Sequence, residues 1–254
     1  MDARIQNISL APFERVLAVS DIHGCPDALA SLLTKAGFSS RDALVLVGDY
    51  VERGTASLPL LRRLMELSAQ GNVFPLMGNC DNLIEDLFEP RFRGDMLRYL
   101  TKHTRTVLHE MLAEQGRPFS EGTTLEELRE TVLAHYAPER DWLRRLPHII
   151  DTERVTFVHA GLDAGPLNGQ DDDRCLKRKD YFETAPVFHK QLVVGHMPCV
   201  RLTGDGSLGP VMDRTRNIAF IDGGAGVLEN GMLHCLIVNG AGGNMPSVSV
   251  KVPL

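Results

Sequence analysis

Residues 16–24 read Val-Leu-Ala-Val-Ser-Asp-Ile-His-Gly, an apolar run that ends in a polar loop holding an aspartate and a histidine. A stretch with helical spacing of apolar residues follows, from Pro26 to Ala36, and Gly37 lies where a helix would end. Short apolar runs bounded by turn residues are typical of buried strands. The segment therefore predicts a strand, a loop with chemically useful side chains, and a helix.

The same unit begins again twice further along the chain. Residues 43–47 are apolar and end at Gly48-Asp49, and a helical pattern covers residues 58–67. Residues 72–77 predict a third strand, which ends at Gly78-Asn79. Alternation of short strands with helices is typical of βαβ units, so the sequence predicts a parallel sheet.

A long helical interval separates these units from the C-terminal strands. Residues 82–147 are rich in Leu, Glu and Arg, and residues 124–133 have a clear helical pattern whose start Thr123 or Thr124 would cap. We interpret the interval as a helical insertion within a single domain spanning residues 1–254, because the strand pattern resumes after it.

The resumed strands again end at polar side chains. Residues 155–158 end at His159, residues 191–194 at Gly195-His196, and residues 218–221 at Asp222. Residues 233–238 and 248–252 predict two further strands, paired antiparallel. The sequence therefore predicts a largely parallel α/β core with an antiparallel addition at the end.

Side chains suited to binding metals fall at these strand ends. They are Asp21, His23, Asp49, Asn79, His159 and His196. Because ligands of α/β sheets bind at the carboxyl ends of strands, we expect these side chains to converge. Mixed carboxylate, imidazole and amide donors fit Mn²⁺, Fe²⁺ or Zn²⁺ better than a thiolate metal site does. Two ions ~3.5–4 Å apart, with Asp49 between them, would activate water and stabilise a displacement at phosphorus.

Five motifs together carry a resemblance to a known family. They are Ser-Asp-Ile-His-Gly at 20–24, Gly-Asp-Tyr-Val-Glu-Arg-Gly at 48–54, Gly-Asn-Cys-Asp at 78–81, His-Ala-Gly at 159–161 and Val-Gly-His-Met-Pro at 194–198. The chain resembles the calcineurin-like metallophosphoesterases, and within them the branch of serine/threonine phosphoprotein phosphatases and symmetrical diadenosine tetraphosphatases. The resemblance implies an α/β/β/α sandwich and hydrolysis of phosphate esters by a metal-activated hydroxide.

The resemblance also implies a ligand set for two divalent ions. It assigns Asp21, His23 and Asp49 to one ion. It assigns Asp49, Asn79, His159 and His196 to the other. We expect Mn²⁺ first, with Fe, Zn or Mg as alternatives.

Arginines are expected to bind the phosphoryl group. The resemblance gives this role to Arg53, since a guanidinium grips a phosphate with two hydrogen bonds and stays charged at any working pH. A second such residue usually precedes the last metal-binding histidine of the family. Arg178 is our choice at that place, with Arg174 and Lys179 as alternatives.

Two residues depart from the family pattern. Cys80 stands where the family has a histidine that protonates the leaving oxygen, and Glu52 stands where it has the aspartate that orients that histidine. A positioned acid contributes ~10²–10⁴-fold to such reactions. We interpret the departures as a change of substrate range, which keeps Cys80 and Glu52 as catalytic candidates. Phosphodiesterase activity and a non-catalytic metal-binding scaffold are the alternatives.

The composition of the chain limits the classes of binding partner that we expect. The chain has 254 residues, 43% of them hydrophobic, and a formal net charge of −6, which disfavours nucleic acid as a partner. Phosphoproteins and dinucleoside polyphosphates are the expected substrates. The latter are favoured by a local basic run in the insertion, formed by Arg91, Arg93, Arg98, Lys102 and Arg105.

The same composition leads us to expect a cytoplasmic protein. The five cysteines have no paired spacing, which is typical of a reducing compartment. The N-terminal residues have no apolar core behind a basic start, and no apolar run approaches the ~18 residues of a membrane span.

Overall fold

The computed structural model describes residues 1–90, 93–238 and 245–252. Its strands are β1 (Ile5–Asn7), β2 (Arg15–Val19), β3 (Asp42–Leu46), β4 (Val73–Pro75), β5 (Ile149–Asp151), β6 (Val155–Val158), β7 (Gln191–Val194), β8 (Val211–Asp213), β9 (Ile218–Phe220), β10 (Met232–Val238) and β11 (Ser247–Lys251). Its helices are α1 (Pro26–Ala36), α2 (Ser57–Ser68), α3 (Leu83–Asp86), α4 (Arg93–Lys102), α5 (Val107–Glu114), α6 (Leu125–His135), α7 (Ala137–Arg145), α8 (Asp172–Lys177), α9 (Tyr181–Thr184) and α10 (Val200–Thr203).

The strands form two mixed sheets. One has five strands in the order β11-β10-β2-β3-β4, and the other has six in the order β1-β5-β6-β7-β9-β8. The parallel pairing predicted for the first three strand units is confirmed in β2, β3 and β4. The antiparallel pair at the C-terminal end is confirmed in β10 and β11. Strands β1, β5 and β8, which are three residues long each, were not predicted from the sequence.

Alternate side chains of the central strands enter different layers, as the two-residue period of a strand requires. Val16 and Ala18 of β2 face the six-stranded sheet and pack in one apolar cluster with Phe157 and Val193. Their neighbours on β2 pack instead with buried residues of α1 and α2. A third cluster lies on the far side of the six-stranded sheet, where α8 and α9 cover it. The layers are therefore helix, sheet, sheet and helix, which confirms the expected α/β/β/α sandwich.

Local signals set the ends of the best predicted helices. Gly37 takes the left-handed conformation with φ of 62° and ends α1, where its N–H donates to Thr34 O. Thr124 caps α6, because its side chain accepts a hydrogen bond from the backbone N–H of Glu127. Among the described residues, no helix is both long enough and apolar enough to cross a membrane.

Helices α3 to α7 fill the chain between β4 and β5 in the described residues. Buried side chains of α4, α5 and α6, among them Leu100, Leu108 and Leu128, share one apolar cluster with Leu61 of α2. Burying each such leucine stabilises the fold by roughly 1.5–3 kcal/mol. The helices therefore pack on the α1 and α2 layer. The boundaries of the insertion and the division of the chain into one domain stay predictions.

Candidate metal centre

The loops after the strands of both sheets meet at one edge. Within each sheet a backbone hydrogen bond joins two of these loops, from Asp21 N to Gly48 O at 3.0 Å and from Gly195 N to His159 O at 2.9 Å. Between the sheets, the backbone N–H of His196 donates to the carboxylate of Asp21. The two glycines are required by close approach. A methyl group on Gly48 would lie 2.6 Å from the Cα of Gly78, and one on Gly195 would lie 2.3 Å from a carboxylate oxygen of Asp21. Larger residues at either position would push the loops apart.

Asp49 lies between two imidazoles and offers a different oxygen to each. Its Oδ2 is 3.7 Å from Nε2 of His23, and its Oδ1 is 3.5 Å from Nε2 of His159. Its Oδ1 also accepts a hydrogen bond from the backbone N–H of Cys80 at 2.8 Å. Burial opposes ionisation of Asp49, but the facing imidazoles leave its pKa below the ordinary value. The geometry places Asp49 centrally, as its predicted bridging role requires.

Backbone carbonyls fix how the two imidazoles are turned. The Nδ1 of His23 is 3.1 Å from Val51 O, and the Nδ1 of His159 is 2.9 Å from Val47 O. A carbonyl accepts only, so each Nδ1 carries a proton and Nε2 is the ring nitrogen that faces Asp49. Such outer hydrogen bonds are the usual way in which proteins orient metal-binding histidines.

Nitrogen and oxygen atoms of three side chains face one another across the site. The Nε2 of His159 is 3.1 Å from Oδ1 of Asn79. The Nε2 of His196 is buried and has no hydrogen-bond partner among the described residues. Burial first, and then the neighbouring His159, lower the pKa of His196 to about 3, so it is neutral at pH 7. A buried, neutral imidazole whose Nε2 has no hydrogen-bond partner fits a bound cation, since metal ligands must be deprotonated.

The ligand atoms form two groups within 4.8 Å, one of His23, Asp49 and Cys80 and one of Asp49, His159 and His196. Asp21 lies outside both groups. Its carboxylate accepts hydrogen bonds from the backbone N–H of His196 at 3.0 and 3.2 Å. Burial, together with nearby carboxylates, raises its pKa well above the ordinary value. The six predicted ligands are thus all at this edge, and a cation would relieve the clustering of negative charge.

Comparison with known proteins identifies the family of the chain. The family model for calcineurin-like phosphoesterases matches residues 14–222. The chain belongs to the calcineurin-like phosphoesterase family. This confirms the family and the fold class that the sequence motifs predict.

Curated relatives within the family are named symmetrical bis(5′-nucleosyl)-tetraphosphatase. The protein of Acidovorax sp. (strain JS42) is 52% identical over 64 residues, which are 25% of this chain and 22% of the relative. That of Paracidovorax citrulli (strain AAC00-1) is 34% identical over 154 residues, which are 57% of this chain and 43% of the relative. The matched regions cover less than half the length of these relatives.

Two solved structures share the fold along almost the whole chain. A protein named as a candidate diadenosine tetraphosphatase has a TM-score of 0.65 and 21% identity, and the match covers 98% of both chains. A serine/threonine phosphatase from Saccharomyces cerevisiae has a TM-score of 0.55 and 12% identity, with 100% of this chain and 84% of that chain covered. At these identities the likeness shows the fold alone.

Backbone strain in this calcineurin-like phosphoesterase concentrates in the site. Positive φ angles occur at Asp21 (52°), His23 (46°), Asp49 (56°) and His196 (69°), all of them predicted ligands. A side chain disfavours this region, and each such residue costs of order 1–3 kcal/mol. The surrounding hydrogen bonds must therefore hold these ligands in place.

Asp81 supplies several of those hydrogen bonds, a role that was not predicted from the sequence. Its carboxylate accepts from the backbone N–H groups of Asp49 and Tyr50 at 2.8 Å, of Gly78 at 2.9 Å and of Val51 at 3.3 Å. It thereby ties together the loops after β3 and β4. The sequence did contain a signal for this role, namely a carboxylate directly after the Gly-Asn-Cys motif. The backbone N–H groups of two buried loops need such an acceptor.

Cys80 is buried beside the first group of ligands. Its Sγ accepts from Nδ2 of Asn79 at 3.4 Å. Burial, followed by the charges of Asp49 and Glu52, raises the pKa of the thiol well above the ordinary value. The thiol is therefore protonated at neutral pH.

Glu52 and Arg53 contact the helices after β4. Oε1 of Glu52 accepts from the backbone N–H of Val107, and burial raises the pKa of Glu52 to about 8. The guanidinium of Arg53 donates from Nη1 to Nδ1 of His103 at 3.1 Å. The segment after the central aspartate is therefore held by α4, α5 and the turn between them.

The proposed second phosphate-binding residues lie in a separate cluster. Arg178 pairs with Asp163 at 2.5 Å, and Arg174 pairs with the same carboxylate at 2.8 Å. Lys179 is exposed, and its charge contributes to the low pKa of His196 after burial and the imidazole of His159. Lys179 therefore acts on the site electrostatically, whereas both arginines share an ion pair with Asp163.

The structure divides the basic run of the insertion. Arg98 is 82% exposed and pairs with Asp95 at 3.4 Å. Lys102 and Arg105 instead line a cavity together with Arg53. Arg91 and the side chain of Arg93 lie outside the described residues.

Proposed function

We propose that this protein is a metal-dependent phosphoesterase that hydrolyses dinucleoside polyphosphates. One observation carries the proposal: Asp49 presents one oxygen to Nε2 of His23 and the other to Nε2 of His159. Family membership supports hydrolysis of a phosphate bond. The names of the curated relatives support the substrate class.

The residues of the centre fit two divalent ions. Asp21, His23 and Asp49 would hold one, and Asp49, Asn79, His159 and His196 the other. When bound, two such ions lower the pKa of water and neutralise charge on a transferring phosphoryl group. Oxygen and nitrogen donors without an ionised thiolate favour Mn²⁺, Fe or Zn, and we propose Mn²⁺ as the ion to test first.

The protein's own side chains would orient the substrate. Arg53 lies at the cavity beside the centre, where its guanidinium can bind phosphoryl oxygens with two hydrogen bonds. Asp49 and the imidazoles keep their orientation through backbone hydrogen bonds. The reaction therefore starts from groups that need little rearrangement.

Cys80 and Glu52 favour a polyphosphate over a phosphoprotein. We propose that Cys80, as a protonated thiol, is the nearest proton donor to the leaving oxygen, a role for which it is weaker than a positioned imidazole. A nucleoside phosphate is a good leaving group and needs little help from an acid. The alkoxide of serine or threonine is a poor one. The departure at residue 80 is thus compatible with cleavage of a phosphoanhydride.

The test compares three substrates after reconstitution with Mn²⁺: diadenosine tetraphosphate, p-nitrophenyl phosphate and bis-p-nitrophenyl phosphate. The Asp49→Asn variant is the control, and bound metal is measured in both proteins. We expect highest kcat/KM for diadenosine tetraphosphate, with loss of turnover and of bound metal in Asp49→Asn. Preference for the diester would indicate a phosphodiesterase. Metal binding without turnover of any substrate would indicate a scaffold.

A further inference from the structure

The turn between α4 and α5 is anchored to Arg53. The backbone N–H of Arg53 donates to Arg105 O at 3.0 Å, and its guanidinium donates to Nδ1 of His103 at 3.1 Å. The ring of His103 lies 4.5 Å from that of Tyr99, one helical turn earlier, so the two rings pack against each other. The turn therefore has a fixed position relative to the guanidinium.

A cavity of about 220 Å³ opens between this turn and Arg53. Its lining residues are Glu52, Arg53, Lys102, His103, Thr104 and Arg105. Pockets that enclose drug-sized ligands measure ~300–1,000 Å³, so this cavity suits a small group rather than a whole nucleoside.

The charges of the cavity select an anion. Arg53, Lys102 and Arg105 are cationic, and within the described residues neither Lys102 nor Arg105 has an ion-pair partner. The single acid of the lining, Glu52, points its oxygens at Val107 N and the hydroxyl of Tyr99. Clustered cations without a counter-charge repel one another, and an anion bound between them removes that repulsion.

We propose that this cavity binds a second phosphoryl group of the substrate, adjacent to the one held by Arg53. Lys102 and Arg105 would neutralise it, and His103 would keep the guanidinium of Arg53 between the two groups. The inference rests on the proposed function, and it confines the substrate to chains of at least two linked phosphates. A phosphopeptide with one phosphoryl group would leave these cations unneutralised.

The experiment uses the Lys102→Gln/Arg105→Gln double variant of the full chain. Arg98→Gln is the matched control, since Arg98 lies on the same helix as Lys102, is paired with Asp95 and does not line the cavity. In the double variant we expect kcat/KM for diadenosine tetraphosphate to fall about tenfold more than kcat/KM for p-nitrophenyl phosphate, as loss of charge-assisted contacts predicts. Arg98→Gln should change neither value. Circular dichroism checks that each variant is folded.

A binding measurement separates this inference from the proposed function. Calorimetry follows diadenosine tetraphosphate binding to Asp49→Asn, with and without the double substitution. Weaker binding with the substitution supports the subsite, even if the wild-type protein hydrolyses nothing and the proposed function fails. Equal binding by the two proteins, or an equal loss of kcat/KM for both substrates, overturns the subsite. The phosphoesterase proposal then still holds if the wild-type protein hydrolyses a phosphate ester.

Discussion

Glu52 accepts a hydrogen bond from the backbone N–H of Val107, so the loop after β3 is joined directly to the first residue of α5 at 2.8 Å. The hydroxyl of Tyr99 donates to the other oxygen at 3.3 Å. The backbone N–H of Glu52 in turn donates to Oγ of Ser57 at 3.0 Å. These contacts indicate that Glu52 positions the loop that carries Arg53.

Two substitutions of Glu52 should distinguish its role as a hydrogen-bond acceptor from the effect of its charge on stability. Burial raises the pKa of Glu52 to about 8, so the carboxyl group is mostly neutral at pH 7. Glu52→Gln keeps an oxygen for Val107 N, and we expect it to change the free energy of unfolding by less than ~1 kcal/mol. Glu52→Ala leaves that N–H unpaired and a cavity behind, and should cost about 2–4 kcal/mol. Urea denaturation at pH 7 measures both, and equal losses would refute the acceptor role.

His103 should affect substrate binding through Arg53. The substitution His103→Ala removes the acceptor for Nη1 of Arg53, and we expect KM for p-nitrophenyl phosphate to rise about threefold to tenfold with a smaller change in kcat. The substitution His103→Asn places an amide oxygen near the position of Nδ1 and should restore most of the loss. Steady-state kinetics of the three proteins tests this, and no difference between the Ala and Asn variants would contradict it.

The features of the fold and the site that could be predicted are those that depend on residues close together in the sequence. The strand ends at residues 19, 46 and 158 follow from short apolar runs, and the polar side chains after them follow from the rule that ligands bind at carboxyl ends of strands. The residue types of Gly37 and Thr124 predict the end of α1 and the start of α6, respectively. These signals act over a few residues, so sequence reasoning located the parallel strands and the polar side chains at their ends, whereas the sandwich was expected from the resemblance to the family.

The features that sequence reasoning missed depend on distant contacts. Strands β1 and β8 lie at the edges of the six-stranded sheet, where three residues give too short a pattern to recognise. The pairing of Arg178 with Asp163 joins residues brought together by the turn before α8. The hydrogen bond from Val107 to Glu52 joins the insertion to the loop after β3, across 55 residues of the chain. No spacing within the chain encodes such pairs.

Asp81 should hold the metal ligands without touching the ions. In Asp81→Asn the amide nitrogen faces backbone N–H donors that the carboxylate now satisfies. We expect a loss of about 2–4 kcal/mol in unfolding free energy. Mn²⁺ affinity should fall about 10–100-fold, as for other partners of metal ligands. Calorimetric titration with Mn²⁺ measures the affinity, with Asp173→Asn, at an exposed carboxylate, as the control. Unchanged Mn²⁺ affinity in Asp81→Asn would show that the loops hold without it.

His148 should make the protein less stable in acid. Its Nδ1 accepts a hydrogen bond from the backbone N–H of Arg4 at 3.1 Å, which requires the neutral ring. Burial, and then the charge of Arg4, lower its pKa in the folded protein to about 4. The unfolded chain, with a histidine pKa of ~6.5, binds a proton between these values that the folded protein does not. Stability from this residue is therefore complete above pH ~6.5 and lost progressively down to about 4, by roughly 3 kcal/mol in total.

His148→Asn tests this pH dependence because Asn offers an oxygen to Arg4 N and does not titrate in this range. We expect its unfolding free energy to fall less than that of the wild-type protein between pH 7 and pH 4.5. The difference should grow steadily below pH ~6.5, where protonation of the unfolded chain begins. Urea denaturation at several pH values measures both curves. Parallel curves would mean that the protonation of His148 is the same in the folded and unfolded states, and that carboxylates elsewhere set the acid sensitivity.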